Sequence, residues 1–147
     1  LLLIPKTMKY LIFGSLRPFP ETSFLILRFF TGITMCYYHG WSKLFSSIER
    51  LDKLGSNFTK WFGLDSLSVP FGIIATFSES IGALMLALGF LTRPTAFLLA
   101  FTMMVATVKN ITGVGMEKTE LSLIFLILSC VIFIRGSGRY SLDKLFF

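Results

Sequence analysis

The chain is poor in the residues that most metal and cofactor chemistry requires. His39 is its single histidine, which excludes bis-histidine haem ligation within one chain and a histidine-rich metal site. Cys36 and Cys130 lie apart in apolar runs, with no C-x-x-C and no histidine cluster, and read as packed or lipid-buried thiols rather than a disulfide or metal site. No G-x-G-x-x-G follows a strand, and there is no P-loop lysine, no H-E-x-x-H and no C-x-x-C-H; Gly113 and Gly115 lack the Lys-Ser/Thr that would make them a phosphate loop. The expectation is therefore no metal and no intrinsic cofactor. Any redox group is a bound quinone or belongs to a partner, and the bound molecule expected of the chain itself is a quinone or a lipid. Acidic residues are also few, 8 against 14 Lys and Arg, and the net charge of +6 is spread over termini and loops. That pattern suits anionic lipid headgroups better than nucleic acid, which calls for a concentrated basic face.

What fills the chain instead is hydrocarbon. Hydrophobic residues make up 54%, 17 residues are Phe, and mean hydropathy is +0.75, far from a surface that must be hydrated. Hydrophobic runs extend from Phe24 to about Phe45, Val69 to Leu91, Pro94 to about Gly113, and about Met116 to Ile134. Each approaches the roughly 20 residues that a membrane span needs. Two links are short, at Thr92 and Arg93 and at Gly113 to Gly115, which forces neighbouring helices antiparallel. Between the first two runs, Phe45, Ile48, Leu51 and Leu54, then Phe58, Trp61, Phe62, Leu64 and Leu67, alternate with charge, as in a segment lying on the membrane surface. The fold expected is all-α: an integral-membrane, antiparallel four-transmembrane-helix bundle with an interfacial segment between helices 1 and 2.

Residues 1–23, broken by Pro5, Pro18 and Pro20, read as an interfacial arm rather than a signal peptide, 24–135 as the transmembrane domain, and 136–147 as an interfacial tail. In that tail Ser141 is expected to cap a short helix from Leu142, with Asp143 in its first turn and an apolar face of Leu142, Leu145 and Phe146 on the bundle end or the membrane. Counting Lys and Arg on each side favours both termini in the cytoplasm. The N-x-T matches at Asn57 and Asn110 read as chance.

A few polar residues interrupt the runs, and they are the guide to function. Arg28, Gly32, Met35, His39 and Lys43 form one stripe, and Ala75, Glu79, Gly82, Ala83 and Leu86 another; Gly32, Gly82 and Gly89 read as helix-packing glycines. A carboxylate inside hydrocarbon needs a partner. At 1.5 Å rise per residue, Glu79 falls roughly 14 Å and His39 roughly 8 Å from the outer edge, and Arg28 roughly 7 Å from the inner one. Glu79 is thus expected within reach of Arg28, His39, or a water joined to one of them. Lys109, Glu117 and Glu120 are drawn toward the slab by the short third and fourth runs, so that they either line a polar pocket opening outward or snorkel to the headgroups. His39 reads as an aromatic-belt residue or a proton carrier, Arg28 with Glu79 as a structural ion pair or a ligand site, and Lys43 as interfacial.

The blocks L-R-F-F-T-G at Leu27 to Gly32, H-G-W-S-K-L-F at His39 to Phe45, F-S-E-S-I-G-A-L-M-L-A-L-G-F-L-T-R-P-T-A at Phe77 to Ala96, E-L-S-L at Glu120 to Leu123, and G-S-G-R-Y-S-L-D-K-L at Gly136 to Leu145 resemble the DoxX family. The resemblance implies a small four-helix bacterial or archaeal membrane protein, here expected in the bacterial inner (cytoplasmic) membrane, with Arg28, Glu79 and Arg93 as family-pattern positions. Some members are the small subunit of a thiosulfate:quinone oxidoreductase and others associate with redox or detoxification proteins. Three functions are therefore expected, in this order: a non-catalytic accessory or assembly subunit of a larger membrane complex, an electron-transfer one by preference; a quinone-linked oxidoreductase subunit; and a carrier for a small anion.

Overall fold

The computed structural model describes residues 20–113 and 116–146. Residues 1–19 of the expected arm, and the side chain of Glu117, lie outside that description. Helix α1 opens at Pro20, ahead of the expected Phe24, through Pro20–Thr34, a π-helical Met35–Gly40 and Trp41–Leu44 without a break. Proline presets φ for a first turn and Glu21 complements the dipole there, so the start has a local cause. After a turn at Phe45 to Ser47, α2 spans Ile48–Thr59. Helix α3 is continuous over Asp65–Leu88, with a π-helical Ser78–Gly82 in its middle. Helix α4 is Thr92–Gly113, α5 is Met116–Arg135, and the four-residue α6 is Asp143–Phe146. No strand occurs among the described residues.

Helices α1 and α3 run antiparallel, Pro20–Thr34 against Ala83–Leu88 and the two π turns against each other, while α4 and α5 form a long antiparallel pair. Close approach is written in glycine. A Cβ on Gly32 would lie 2.3 Å from Ala83 O, and one on Gly40 would lie 2.1 Å from Glu79 O. Helix α2 folds back along the first half of α3, where a Cβ on Gly55 would lie 1.8 Å from Ser68 O and one on Gly72 1.9 Å from Leu51 O. Helix α3 stops at Leu88 because Gly89 is left-handed, with φ +73, and Phe90 N–H donates back to Met85 O at 2.9 Å.

Phe24, Met35, Leu86, Leu99, Phe125 and Ile132 pack the centre. Around them the usual distribution is inverted. Arg28, Glu79 and many Ser and Thr are buried, whereas Phe30 is 60% and Ile134 76% exposed. Several of the hydroxyls are satisfied locally, as Ser80, Thr107 and Ser129 donate to carbonyls four residues back, whereas those of Thr59, Thr76, Ser78 and Thr92 have no hydrogen-bond partner. Asp65–Leu88 and Thr92–Gly113 are long and apolar enough to cross a membrane.

Candidate functional site

Two polar centres occupy opposite ends of α1. At the tail end, Arg28 is 1% exposed and its guanidinium donates to the carbonyls of Ser137 and, at 2.7 Å, Tyr140. Gly136 and Gly138, with φ +83 and +73, turn the chain so that these carbonyls face inward. Asp143 then accepts from the N–H groups of Leu91 (2.7 Å) and Thr92 (3.0 Å), capping α4, and its own N–H donates to Gly89 O at 2.9 Å. Burial raises the pKa of Asp143, but the hydrogen bonds from Thr92 and Leu91, with the charge of Arg28, outweigh it and hold the carboxyl below its ordinary value. Glu21 completes the end by accepting from Arg135 (3.0 Å) and from the N–H of Arg139 (2.9 Å).

The second centre lies where the two π turns meet. Glu79 is 2% exposed and accepts a charged hydrogen bond from Lys43, one turn beyond His39. A π turn carries an extra residue, rotating the side chains after it, and such turns recur at functional sites. His39 is half-buried with its ring edge-on to Phe125, centroids 5.8 Å apart. Lys43 touches three cavities. One of about 180 Å³ is walled by Phe58, Phe71 and Phe101 and reaches Glu79; one of about 380 Å³ includes His39, Glu79, Asn110 and Ser122; one of about 460 Å³ is ringed by Arg50, Lys53, Lys109 and Lys118 with no carboxylate among its described lining residues. The buried hydroxyl of Thr76, which has no hydrogen-bond partner, borders the last. A carboxylate held by one lysine inside converging apolar and cationic space can bind a polar headgroup and exchange a proton with it.

The DoxX family model matches residues 23–112, from the first turn of α1 to the end of α4 and through both π turns. The chain belongs to the DoxX family. Neither the curated proteins nor the solved structures compared with it give a match. As a DoxX protein with two helices able to span a bilayer, it is a helical membrane protein.

Several residues of this DoxX protein stand elsewhere than the sequence pattern puts them. Arg28 does not approach Glu79; it is a tail clamp, because a fork of parallel N–H donors is met there by two inward carbonyls. Glu79 finds Lys43 instead. Lys109 borders two of the cavities, while Glu120 is exposed on α5. Gly32 does admit α3, but a Cβ on Gly82 would meet only Phe77 O of its own helix, at 3.2 Å, and Gly89 is a helix stop pressed against Arg28 rather than a helix-packing glycine. The α6 helix begins at Asp143, with Ser141 Oγ accepting from Lys144 N–H at 3.3 Å. Leu145 and Phe146 are 74% and 66% exposed, so polar contacts and not an apolar face hold the tail to the bundle. Sequence reasoning missed Asn110 and Ser122, joined at 3.4 Å across α4 and α5. Their signal is a polar pair facing across a short glycine turn.

Proposed function

We propose that this DoxX protein is the membrane subunit of a quinone-linked electron-transfer complex, and that the quinone headgroup sits against Lys43 and Glu79. The observation that carries this reading is a carboxylate 3% exposed at its side chain, paired with a lysine 21% exposed at its own, where three cavities converge. When bound, a quinone supplies two-electron, two-proton exchange. The residues fit such a group: the Lys43 ammonium can donate to a ring carbonyl, Glu79 Oε2 and the imidazole of His39 can hold or pass protons, and Phe58, Phe71 and Phe101 present apolar faces. No group of three His, Cys, Asp or Glu that could hold a metal occurs among the described residues, so a partner subunit is assigned the other half of the electron path.

In this reading α1, α3, α4 and α5 are four antiparallel spans in a bacterial inner membrane, with both termini cytoplasmic and the Lys43 pocket toward the outer side. An accessory role without chemistry, in which the Lys43–Glu79 pair only fixes helix register, is supported less well, since that pair borders open cavities. A carrier is supported least, because the clamped tail closes the opposite end. The test is titration of the protein in nanodiscs with a short-chain ubiquinone or naphthoquinone, read by quenching of Trp61, whose ring lies 5.9 Å from Phe58. Saturable quenching should weaken about tenfold in Glu79→Gln and Lys43→Met, the loss of one charged hydrogen bond. Equal affinity in wild type and both variants, or no saturation, would overturn the reading.

A further inference from the structure

At the opposite end from that pocket, a depression of about 1000 Å³ opens between the start of α4, the end of α5 and the tail. Its two carboxylates are committed: Asp143 to the N–H groups of Leu91 and Thr92, Glu21 to Arg135 and the N–H of Arg139. Three cations on its wall, Arg93, Arg139 and Lys144, have no carboxylate of a described residue within ion-pair distance, and residues 1–19 contain no acid. Arg93 reaches across the seam, its Nε 3.4 Å from where a Cβ of Gly136 would stand, so the glycine keeps the basin open.

The same seam continues along the helices as an apolar groove. One turn above Arg93 on α4 comes Phe97, and beside Arg135 on α5 comes Ile134; between them Ala100, Met104, Leu126 and Cys130 line about 460 Å³ of wholly apolar space. Phe97 and Phe133 form its near end, ring centroids 5.9 Å apart. A basic basin and, one turn along the same two helices, an apolar groove on the outer face of a membrane protein have the two-part chemistry of one ligand class. We infer that this seam of α4 and α5 is a binding site for an anionic phospholipid, its phosphate against Arg93, Arg139 and Lys144 and one acyl chain in the Phe97–Cys130 groove. Charge complementarity selects the headgroup, because Lys and Arg at a membrane edge with no described carboxylate beside them attract anionic over zwitterionic lipid. The groove selects a lipid over a soluble anion, because only an acyl chain gains from apolar space.

Native mass spectrometry of the delipidated full-length protein in neutral detergent, titrated with phosphatidylglycerol, phosphatidylcholine, glycerol 3-phosphate and inorganic phosphate, tests this. Phosphatidylglycerol is expected to bind one per chain, phosphatidylcholine at least tenfold more weakly, and neither soluble phosphate to compete. Arg93→Gln, Arg139→Gln and Lys144→Gln together leave the backbone hydrogen bonds of the tail in place and should weaken phosphatidylglycerol on the order of 100-fold. Cys130→Trp fills the groove without touching charge and should weaken it as well; should that variant not fold, Ala100→Leu serves the same purpose. Equal binding of the two lipids, undiminished binding in the triple variant, or displacement by soluble phosphate would overturn the inference.

Discussion

Replacing Arg28 by methionine separates the two polar centres, because the side chain is of similar length but cannot donate. The guanidinium donates to two carbonyls, and hydrogen bonds to a charged donor contribute about 1.5–3 kcal/mol each. Against this stands its Nε, which is buried without a partner at a cost of about 1–3 kcal/mol that the substitution removes. The net loss is then about 2–3 kcal/mol, and it falls on the tail rather than on the Lys43 pocket. Limited proteolysis in detergent micelles should show Arg28→Met cut within residues 136–146 under conditions that leave wild type intact, with global unfolding shifted by the same amount. Gly89→Ala should release the tail by the other route, since its Cβ would stand 2.4 Å from Arg28 Nη1 and 2.7 Å from Ser141 Cβ. Both changes break one contact, so the double variant should cost clearly less than the two singles together. An intact tail in Arg28→Met, or additivity with Gly89→Ala, would refute the clamp.

Asp143→Asn should weaken the cap on α4 by about 1 kcal/mol. Because the folded-state pKa of Asp143 is depressed, its contribution is present above the unfolded value of about 3.9 and disappears as pH falls through the lower folded value; amide exchange at Leu91 and Thr92 should accelerate over that acid window in wild type and lose that step in the variant. Gly40→Ala, with a Cβ 2.1 Å from Glu79 O, should cost about 1–3 kcal/mol by prising the π turns apart, whereas Gly113→Ala, with nothing within 4 Å, should be neutral in a denaturation assay.

Run length, glycine and proline carry most of the helix map. The stretch after Val69 turns at Gly89 because a left-handed residue is needed there, and Pro94 stands in the first turn of α4, where its missing N–H is no loss. A lone carboxylate in an apolar run has to turn inward, and Glu79 is buried. Its partner is harder to read. The stripe from Arg28 to Lys43 is drawn at 3.6 residues per turn, but six residues of α1 and five of α3 are π-helical, which rotates the later side chains of each helix and brings Lys43 to Glu79. Depth along the helix axis likewise says nothing of the tail, whose carbonyls reach Arg28 across 109 and 112 residues of chain. Asn57 shows the limit of tripeptide patterns: its side chain donates to Leu54 O at 2.9 Å and is half-buried.

The choice of cation at each end of α1 depends on its surroundings. Arg28 meets only neutral carbonyls, so its charge must persist without a counter-ion in contact, and a delocalised guanidinium whose proton is effectively never lost meets that demand while filling two acceptors at fixed angles. A lysine there would present a compact, strongly hydrated charge and reach one carbonyl at a time. At the other end the demands reverse. Lys43 faces one carboxylate and open cavity, where an ammonium on a flexible four-carbon stem presents three rotatable donors rather than a fixed fork. An arginine would hold both oxygens of Glu79 in a bidentate pair of fixed geometry. One helix thus carries a guanidinium clamped to the tail at one end and, just past its π turn, an ammonium paired with a carboxylate beside open cavities.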